Sequence, residues 1–314
     1  GDWSSDVCSS DLGDLNKNIL YGGAGLDYID GGANDDIIDG GANATGVESL
    51  IGGLGNDTLY GGDGIDEVQG GDGNDLIYGD DSLNSAGMVN NDILYGGAGE
   101  DTIYGGNGDD TLIGGTGDDK LKGGEGSDTA DYSSSAASIQ ASILNAFATG
   151  SDIGTDNFES IENITGSNFA DIIIGDGGIN ILKGNAGDDT ITEGAGNDSI
   201  DGGDNNDTII AGAGDDIIDG GNNNDTVDYS AITIADDSRT YKGKTITGVS
   251  LDLSLSTAQY IHTGYGTDTL TNIENVIGSD KEDYILGNSG DNILEGKAGK
   301  DYLVGMAGVD KYIG

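Results

Sequence analysis

Nine residues recur along most of this chain as GGxGxDxUx, with U apolar, and so short a period leaves room for little besides a turn and a stub of strand. The copies GGLGNDTLY, GGDGIDEVQ and GGDGNDLIY follow one another from Gly52, and GGAGEDTIY, GGNGDDTLI, GGTGDDKLK and GGEGSDTAD from Gly96. With degenerate copies, units begin at 13, 22, 31, 40, 52, 61, 70 and 79, then at every ninth residue over 96 to 123, 166 to 220 and 278 to 305. In each, a Gly-rich turn precedes three residues, such as Thr58-Leu59-Tyr60, that suit a very short strand with U pointing inward. Two units make one coil, so units two apart stack in parallel and bring Asp57 beside Asp75 and Asp101 beside Asp119. The expected fold is all-β: a parallel β-roll, a solenoid with two strands per coil.

The residue types in the turn point to a hard cation. Glycine at the fourth position implies positive φ, and its replacements Asn34, Asn205 and Asn223 are of a type that tolerates that region. The second position also admits Asn185, Asn288, Lys297 and Met306, from which a weaker backbone constraint is expected there. The sixth position is nearly always Asp. A calcium ion takes six to eight oxygens at about 2.3–2.6 Å, and such a turn supplies one carboxylate plus carbonyls. The carboxylate candidates are Asp27, Asp36, Asp57, Asp66, Asp75, Asp92, Asp101, Asp110, Asp119, Asp128, Asp189, Asp198, Asp207, Asp216, Asp225, Asp301 and Asp310. Candidate carbonyl donors are those of Gly53, Gly55, Gly62, Gly64, Gly71, Gly73, Gly97, Gly99, Gly106 and Gly108. Weaker ligands are expected at Asp171 and Asp283, whose turns carry Phe169 and Lys281 in place of Gly, at Asn180 and Asn292, where the charge is lost, and at Glu48.

Charge makes the metal a condition of folding. The chain carries 58 Asp+Glu against 11 Lys+Arg, a net charge of −47, with 61 Gly and no Pro. One buried apolar side chain per nine residues cannot offset the ordering of nine backbones while stacked carboxylates repel. Bound calcium, at about 0.1–1 mM, is expected to fold the chain cooperatively. Nucleic acid, anionic membrane and acidic polymers are poor partners for such a surface, and no apolar run is long enough to span a bilayer.

The repeats divide the chain. Residues 13–131 read as a first roll, with exposed loop insertions near 40–51 and 79–95. Residues 132–165 read as an interlude, 166–228 as a second roll, 229–277 as a second interlude and 278–314 as a third, truncated roll. The interludes share a design: DTADYS at Asp128 leads to SIENITGS at Ser160, and DTVDYS at Asp225 leads to NIENVIGS at Asn272. Val249, Leu251, Leu253 and Leu255 alternate with polar residues, as do Ile139, Ala141 and Ile143, so each interlude is expected to hold a half-buried, non-calcium β-segment. The stretch Asp2–Leu12, which holds Trp3 and Cys8, resembles a translated sequencing adapter, and residues 1–12 are expected to lie outside the fold. The natural start of the chain is expected to be missing.

The nonapeptides resemble those of RTX, or haemolysin-type, calcium-binding proteins. The resemblance covers about two-thirds of the chain. It implies a calcium-loaded parallel β-roll, export through a bacterial type I secretion apparatus and an extracellular location. Two roles are consistent with it: a stalk in a large secreted adhesin-like protein, or the carrier module of a toxin or enzyme such as a protease, lipase or polysaccharide epimerase, with its catalytic domain outside this sequence. A monomeric roll is expected.

No enzyme is legible. His262, the single His, is expected on the surface, and no Ser-His-Asp set or His-based zinc site forms around it. GxxxxGK[ST] is absent, as is EF-hand spacing. Tyr21, Tyr60, Tyr78 and Tyr104 each hold the ninth position of their units and are expected to form one ladder along a face, stacking between coils or offering a platform to a surface polysaccharide.

Overall fold

The computed structural model describes residues 10–13, 15–80, 90–231 and 238–314. Every regular element among them is a β-strand, and the architecture is a parallel β-solenoid. The register is that of the repeat: Leu59 pairs with Ile77 and Ile77 with Ile103, while on the opposite wall Val68 pairs with Leu94 and Leu94 with Leu112. All six side chains are fully buried, so the core is a double file of U residues facing one another across each coil.

The chain forms two compact units, Gly1–Ala137 with Asn145–Ile164, and Ser138–Leu144 with Thr165–Gly314. The first interlude therefore contributes to both. Within the first unit, the antiparallel hairpin Phe147–Gly150 and Gly154–Glu159 lays its second strand parallel on Lys120–Glu125. Within the second, Gln259–His262 and Gly266–Thr271 form the matching hairpin, laid on Ile217–Asn222. Also in the second unit, Ser250–Asp252, Tyr284–Leu286 and Tyr302–Val304 make a separate three-stranded parallel sheet over Ile246.

Several expectations need correction. The insertion at 40–51 is no exposed loop: the strand Ile37–Leu54 runs through it, and a register shift between Ala42 and Val47 absorbs the extra residues as a bulge. The second insertion holds residues 81–89, outside the described residues, but its rims are buried, with Asn90 Nδ2 donating to Asp80 at 2.8 Å. The alternation from Val249 to Leu255 also stops early. Val249 and Leu251 are buried, but the strand ends at Asp252, and Leu255 is 42% exposed. The Asp252 carboxylate accepts from the Ser254 N–H at 3.1 Å and turns the chain. Residues 10–12, expected outside the fold, form a strand on Tyr28–Ala33; Trp3 and Cys8 lie outside the described residues.

Candidate metal centre

The sixth-position residues stack into ladders joined by one repeated hydrogen bond. The Asp36 N–H donates to Asp57 Oδ1 at 2.6 Å, Asp57 to Asp75 at 2.7 Å, Asp75 to Asp101 at 2.7 Å and Asp101 to Asp119 at 2.8 Å. On the other wall Asp66, Asp92, Asp110 and Asp128 are linked at 2.8, 2.8 and 2.9 Å. The second unit repeats this through Asp171, Asp189, Asp207 and Asp225 at 2.7, 2.8 and 2.8 Å, and through Asn180, Asp198 and Asp216 at 2.8 and 2.9 Å. Further along, Asp283 reaches Asp301, and Asn292 reaches Asp310, both at 3.1 Å. Asp27, Asp36 and Glu48 are buried with the rest, whereas Asp301 and Asp310 are half-buried.

Apart from Asp66, whose Oδ1 is unpartnered too, one oxygen of each ladder aspartate is thus spent on the backbone. The other is buried, and the Oδ2 atoms of Asp57, Asp66, Asp75, Asp92, Asp101, Asp110, Asp119, Asp128, Asp189, Asp198, Asp207, Asp216 and Asp225 have no hydrogen-bond partner. Buried polar atoms are nearly always paired, so a run of acceptor-only oxygens left over at the same repeat position points to a cation.

The first-position glycine lies against that oxygen. A Cβ on Gly61 would lie 2.7 Å from Asp66 Oδ2 and 2.5 Å from the carbonyl oxygen of Gly79, one coil on; on Gly202 the corresponding approaches are 2.6 Å to Asp207 Oδ2 and 2.5 Å to the Gly220 oxygen. A carboxylate and a carbonyl converge where any side chain would block them, and this donor set suits calcium. The carbonyls of Gly53, Gly55, Gly71, Gly73, Gly97, Gly99, Gly106 and Gly108 instead face the glycines of the following coil, stacking the turns closely. Gly62 and Gly64 take φ of 111° and 131°.

Of the four second-position replacements named above, three are left-handed, and Asn288 is not. Asn185, Lys297 and Met306 hold φ of 73°, 58° and 74°, against 71°, 84° and 90° for Asn34, Asn205 and Asn223. Lys297 and Met306 adopt the left-handed backbone under strain.

The weaker candidates differ in how their oxygens are used. Asp171 accepts from the Ile139 and Ser167 N–H groups and from Ser167 Oγ, and Asp283 from Val249 and Ser279 in the same way. The serine at the second position, rather than Phe169 or Lys281 at the fourth, saturates them. Asn180 and Asn292 turn their amide oxygens to the N–H of Asp176 and Asn288, both at 2.9 Å.

The ladders do not stop at the interludes. The Asp119 and Asp128 N–H groups donate to Asp156 and Glu162 at 3.0 and 2.9 Å, and those of Asp216 and Asp225 to Asp268 and Glu274 at 3.3 and 3.0 Å. The interludes, read from sequence as free of metal ligands, thus supply four carboxylates in ladder positions. The signal was present: GTDNF and GTDTL both carry the D-x-U of the repeat, and both interludes carry IEN. Each interlude aspartate is also held by a buried tyrosine, Tyr132 OH donating to Asp156 at 2.8 Å and Tyr229 OH to Asp268 at 2.7 Å.

Without metal these groups resist ionisation. Burial above all pushes Asp57, Asp66, Asp75 and Asp119 up to about 6, Asp101 and Asp110 to about 7, and Asp92 and Asp268 to about 8; neighbouring carboxylates add to the rise and the ladder hydrogen bond opposes it. A divalent cation among them removes that penalty.

The tyrosines form a shorter ladder than expected. Tyr60 stacks on Tyr78 at 5.0 Å and Tyr78 on Tyr104 at 4.8 Å, whereas Asp39 sits in register between Tyr21 and Tyr60. Lys122 closes the stack over Tyr104 at 5.1 Å and pairs with Glu159 at 2.9 Å.

No curated protein matches the chain. The family model of the RTX calcium-binding nonapeptide repeat (4 copies) matches residues 12–44, 45–82, 87–121, 104–134, 165–200, 194–227 and 277–313, more than half of the sequence. A chain whose repeats stack buried, unpartnered aspartate oxygens against glycine carbonyls, and which this model matches over most of its length, belongs to the RTX calcium-binding nonapeptide repeat family.

Proposed function

We propose that this calcium-binding repeat region is an extracellular stalk, folded and stiffened by its ions, within a larger adhesin-like protein exported by a type I apparatus. The observation that carries it is the leftover oxygen: a buried, unpartnered Oδ2 recurring through both units, in most repeats beside a backbone carbonyl. Asp57, Asp66 and the other Oδ2 carboxylates, with first-position carbonyls such as that of Gly79, would hold the ions. Calcium supplies the charge that lets stacked carboxylates coexist. The low-calcium cytosol and the calcium-rich exterior then separate an unfolded, export-ready chain from a rigid one.

The stalk reading is favoured over a carrier module because the interludes prolong the ladders rather than break them, Asp119 to Asp156 in one unit and Asp216 to Asp268 in the other. We assign the chain no catalysis. His262 is buried, contrary to expectation, and its ring nitrogens face the carbonyl oxygens of Thr263 and Thr247 at 2.8 and 3.2 Å, which supports a structural role. A surface polysaccharide partner would meet the edges of the Tyr60, Tyr78 and Tyr104 rings, since their faces cover one another.

Calcium titration of the full chain, followed by far-UV circular dichroism with magnesium as control, tests the reading. A cooperative gain of strand with calcium alone is expected. Strand signal in chelator at about pH 8.5, where the metal-free carboxylates are charged, or an equal response to magnesium, overturns it.

A further inference from the structure

The first repeat position is glycine through most of the roll, but on one wall of the second unit it reads Gly175, Glu193, Ala211 and Tyr229. The first unit offers an internal comparison. There the corresponding wall reads Gly96, Gly114 and Tyr132, aligned by the two interlude pairs Tyr132 with Asp156 and Tyr229 with Asp268. Glu193 therefore stands where the first unit has Gly96, whose missing Cβ faces Asp101 Oδ2 and the Gly114 carbonyl. At 193 a carboxylate enters this space.

The Glu193 side chain is fully buried and fixed. Its Oε1 accepts from the Gly212 N–H at 2.6 Å, and its Oε2 has no partner. Asp198 and Asp216, 2% and 1% exposed, each present an unpartnered Oδ2. One oxygen from each of the three residues lies within 4.8 Å of the others. Two oxygens on one calcium ion at about 2.3–2.6 Å can be no more than about 5 Å apart, so the trio fits around a single ion. A proton shared by two of the oxygens would leave the third buried, charged and alone. Asp268, accepting from the Asp216 N–H, adds a further negative charge from the next coil.

We propose that Glu193, Asp198 and Asp216 bind one calcium ion directly through three side-chain carboxylates, at a point where the ordinary repeat offers one. The site differs from its neighbours in charge as well as in donors, and it fills at lower calcium than they do. Its three carboxylates make it the first ion to be held in the second unit. The inference deepens the calcium reading and rests on it for the folded state of the chain.

Native mass spectrometry of the full chain, equilibrated with chelator-buffered calcium, counts the ions. At the lowest free calcium at which the parent chain holds any, Glu193→Gln is expected to hold one fewer. Glu193→Gly restores the repeat, and circular dichroism in millimolar calcium checks its fold; it too is expected to lose the early ion. Equal counts in parent and variants, or one more ion in Glu193→Gly, would show that Glu193 merely plugs the turn and would overturn this proposal alone. A parent chain that takes up no calcium at any concentration would overturn the calcium reading with it.

Discussion

The Asp57 N–H donates to Asp75 Oδ1 at 2.7 Å, and Asp75 Oδ2, on the same carboxylate, has no hydrogen-bond partner. One carboxylate thus does two separable things, stitching the coil before it and offering charge to an ion. Asp75→Asn keeps an acceptor for the Asp57 N–H and loses the charge. It is expected to fold in excess calcium with a titration midpoint raised several-fold. Asp75→Ala removes both functions and leaves the Asp57 N–H unsatisfied, a loss of about 1–3 kcal/mol in calcium-saturated denaturation. Equal midpoints for parent and Asp75→Asn would remove Asp75 from the ligand set.

Gly61 separates metal from backbone strain. Its φ is not in the left-handed region, so Gly61→Ala is harmless by conformation alone, yet the new methyl would sit 2.7 Å from Asp66 Oδ2 and 2.5 Å from the Gly79 oxygen. Gly62 has φ of 111°, and Gly62→Ala strains the chain directly. Isothermal titration should show Gly61→Ala binding one calcium fewer or more weakly. Gly62→Ala should lower stability by about 1 kcal/mol or more with its ion count intact.

Much of this was legible because the repeat makes local chemistry and global register the same statement. Nine residues with one U, one D and fixed glycines determine which side chain meets which, so the contacts of Leu59 with Ile77 and of Asp57 with Asp75 follow from counting. Where counting fails, so does the reading. The burial of His262 and the early end of the strand at Asp252 depend on a backbone carbonyl 15 residues away at Thr247, or on a local turn at Ser254, and no period announces either. Asp156 and Asp268 kept the D-x-U signal and the glycine two residues before it, Gly154 and Gly266, but lost the first-position glycine to Ser151 and Thr263, because each sits on a hairpin strand rather than in a turn.

Acidity should act on the metal-free chain in the direction opposite to its action on calcium binding. Burial lifts the folded carboxylates of Asp57, Asp101 and Asp92 to about 6, 7 and 8, above the 3.8 of the unfolded chain. A raised folded value stabilises the protonated roll; that contribution is complete below about pH 4 and is lost as pH rises through about 6 to 8. In chelator, strand signal is expected at about pH 5 and none at about pH 8.5. With calcium present, the midpoint should instead worsen on acidification, as protons compete for the same oxygens. Circular dichroism across this range checks both signs.

Tyr78 is sandwiched between Tyr60 and Tyr104, nearly parallel to both. Tyr78→Ser removes two ring contacts at about 0.5–1.5 kcal/mol each and should lower the calcium-saturated stability by about 1–3 kcal/mol while leaving ion stoichiometry alone. The double variant Tyr60→Ser with Tyr78→Ser also tests the polysaccharide reading: a glycan array that binds parent and variant alike would reject it.

Tyr132 is buried, and its hydroxyl donates to Asp156 Oδ2 at 2.8 Å while Asp156 Oδ1 accepts from the Asp119 N–H at 3.0 Å. Burial pushes the tyrosine well above its ordinary value, so it remains a donor throughout the accessible range, and Asp156 is raised to about 7 even with that bond in place. In Tyr132→Phe the carboxylate keeps its burial and the Asp119 N–H but loses the side-chain donor that favours its charge. The expected loss is about 1–3 kcal/mol, larger at about pH 8 than at about pH 6, because only the ionised Asp156 misses the donor strongly. Denaturant titrations at the two pH values in saturating calcium measure this, and Tyr229→Phe should show the same dependence through Asp268. A loss that is equal at both pH values would mean that the ring is held there for its volume alone, and that the interlude carboxylates do not depend on their tyrosines.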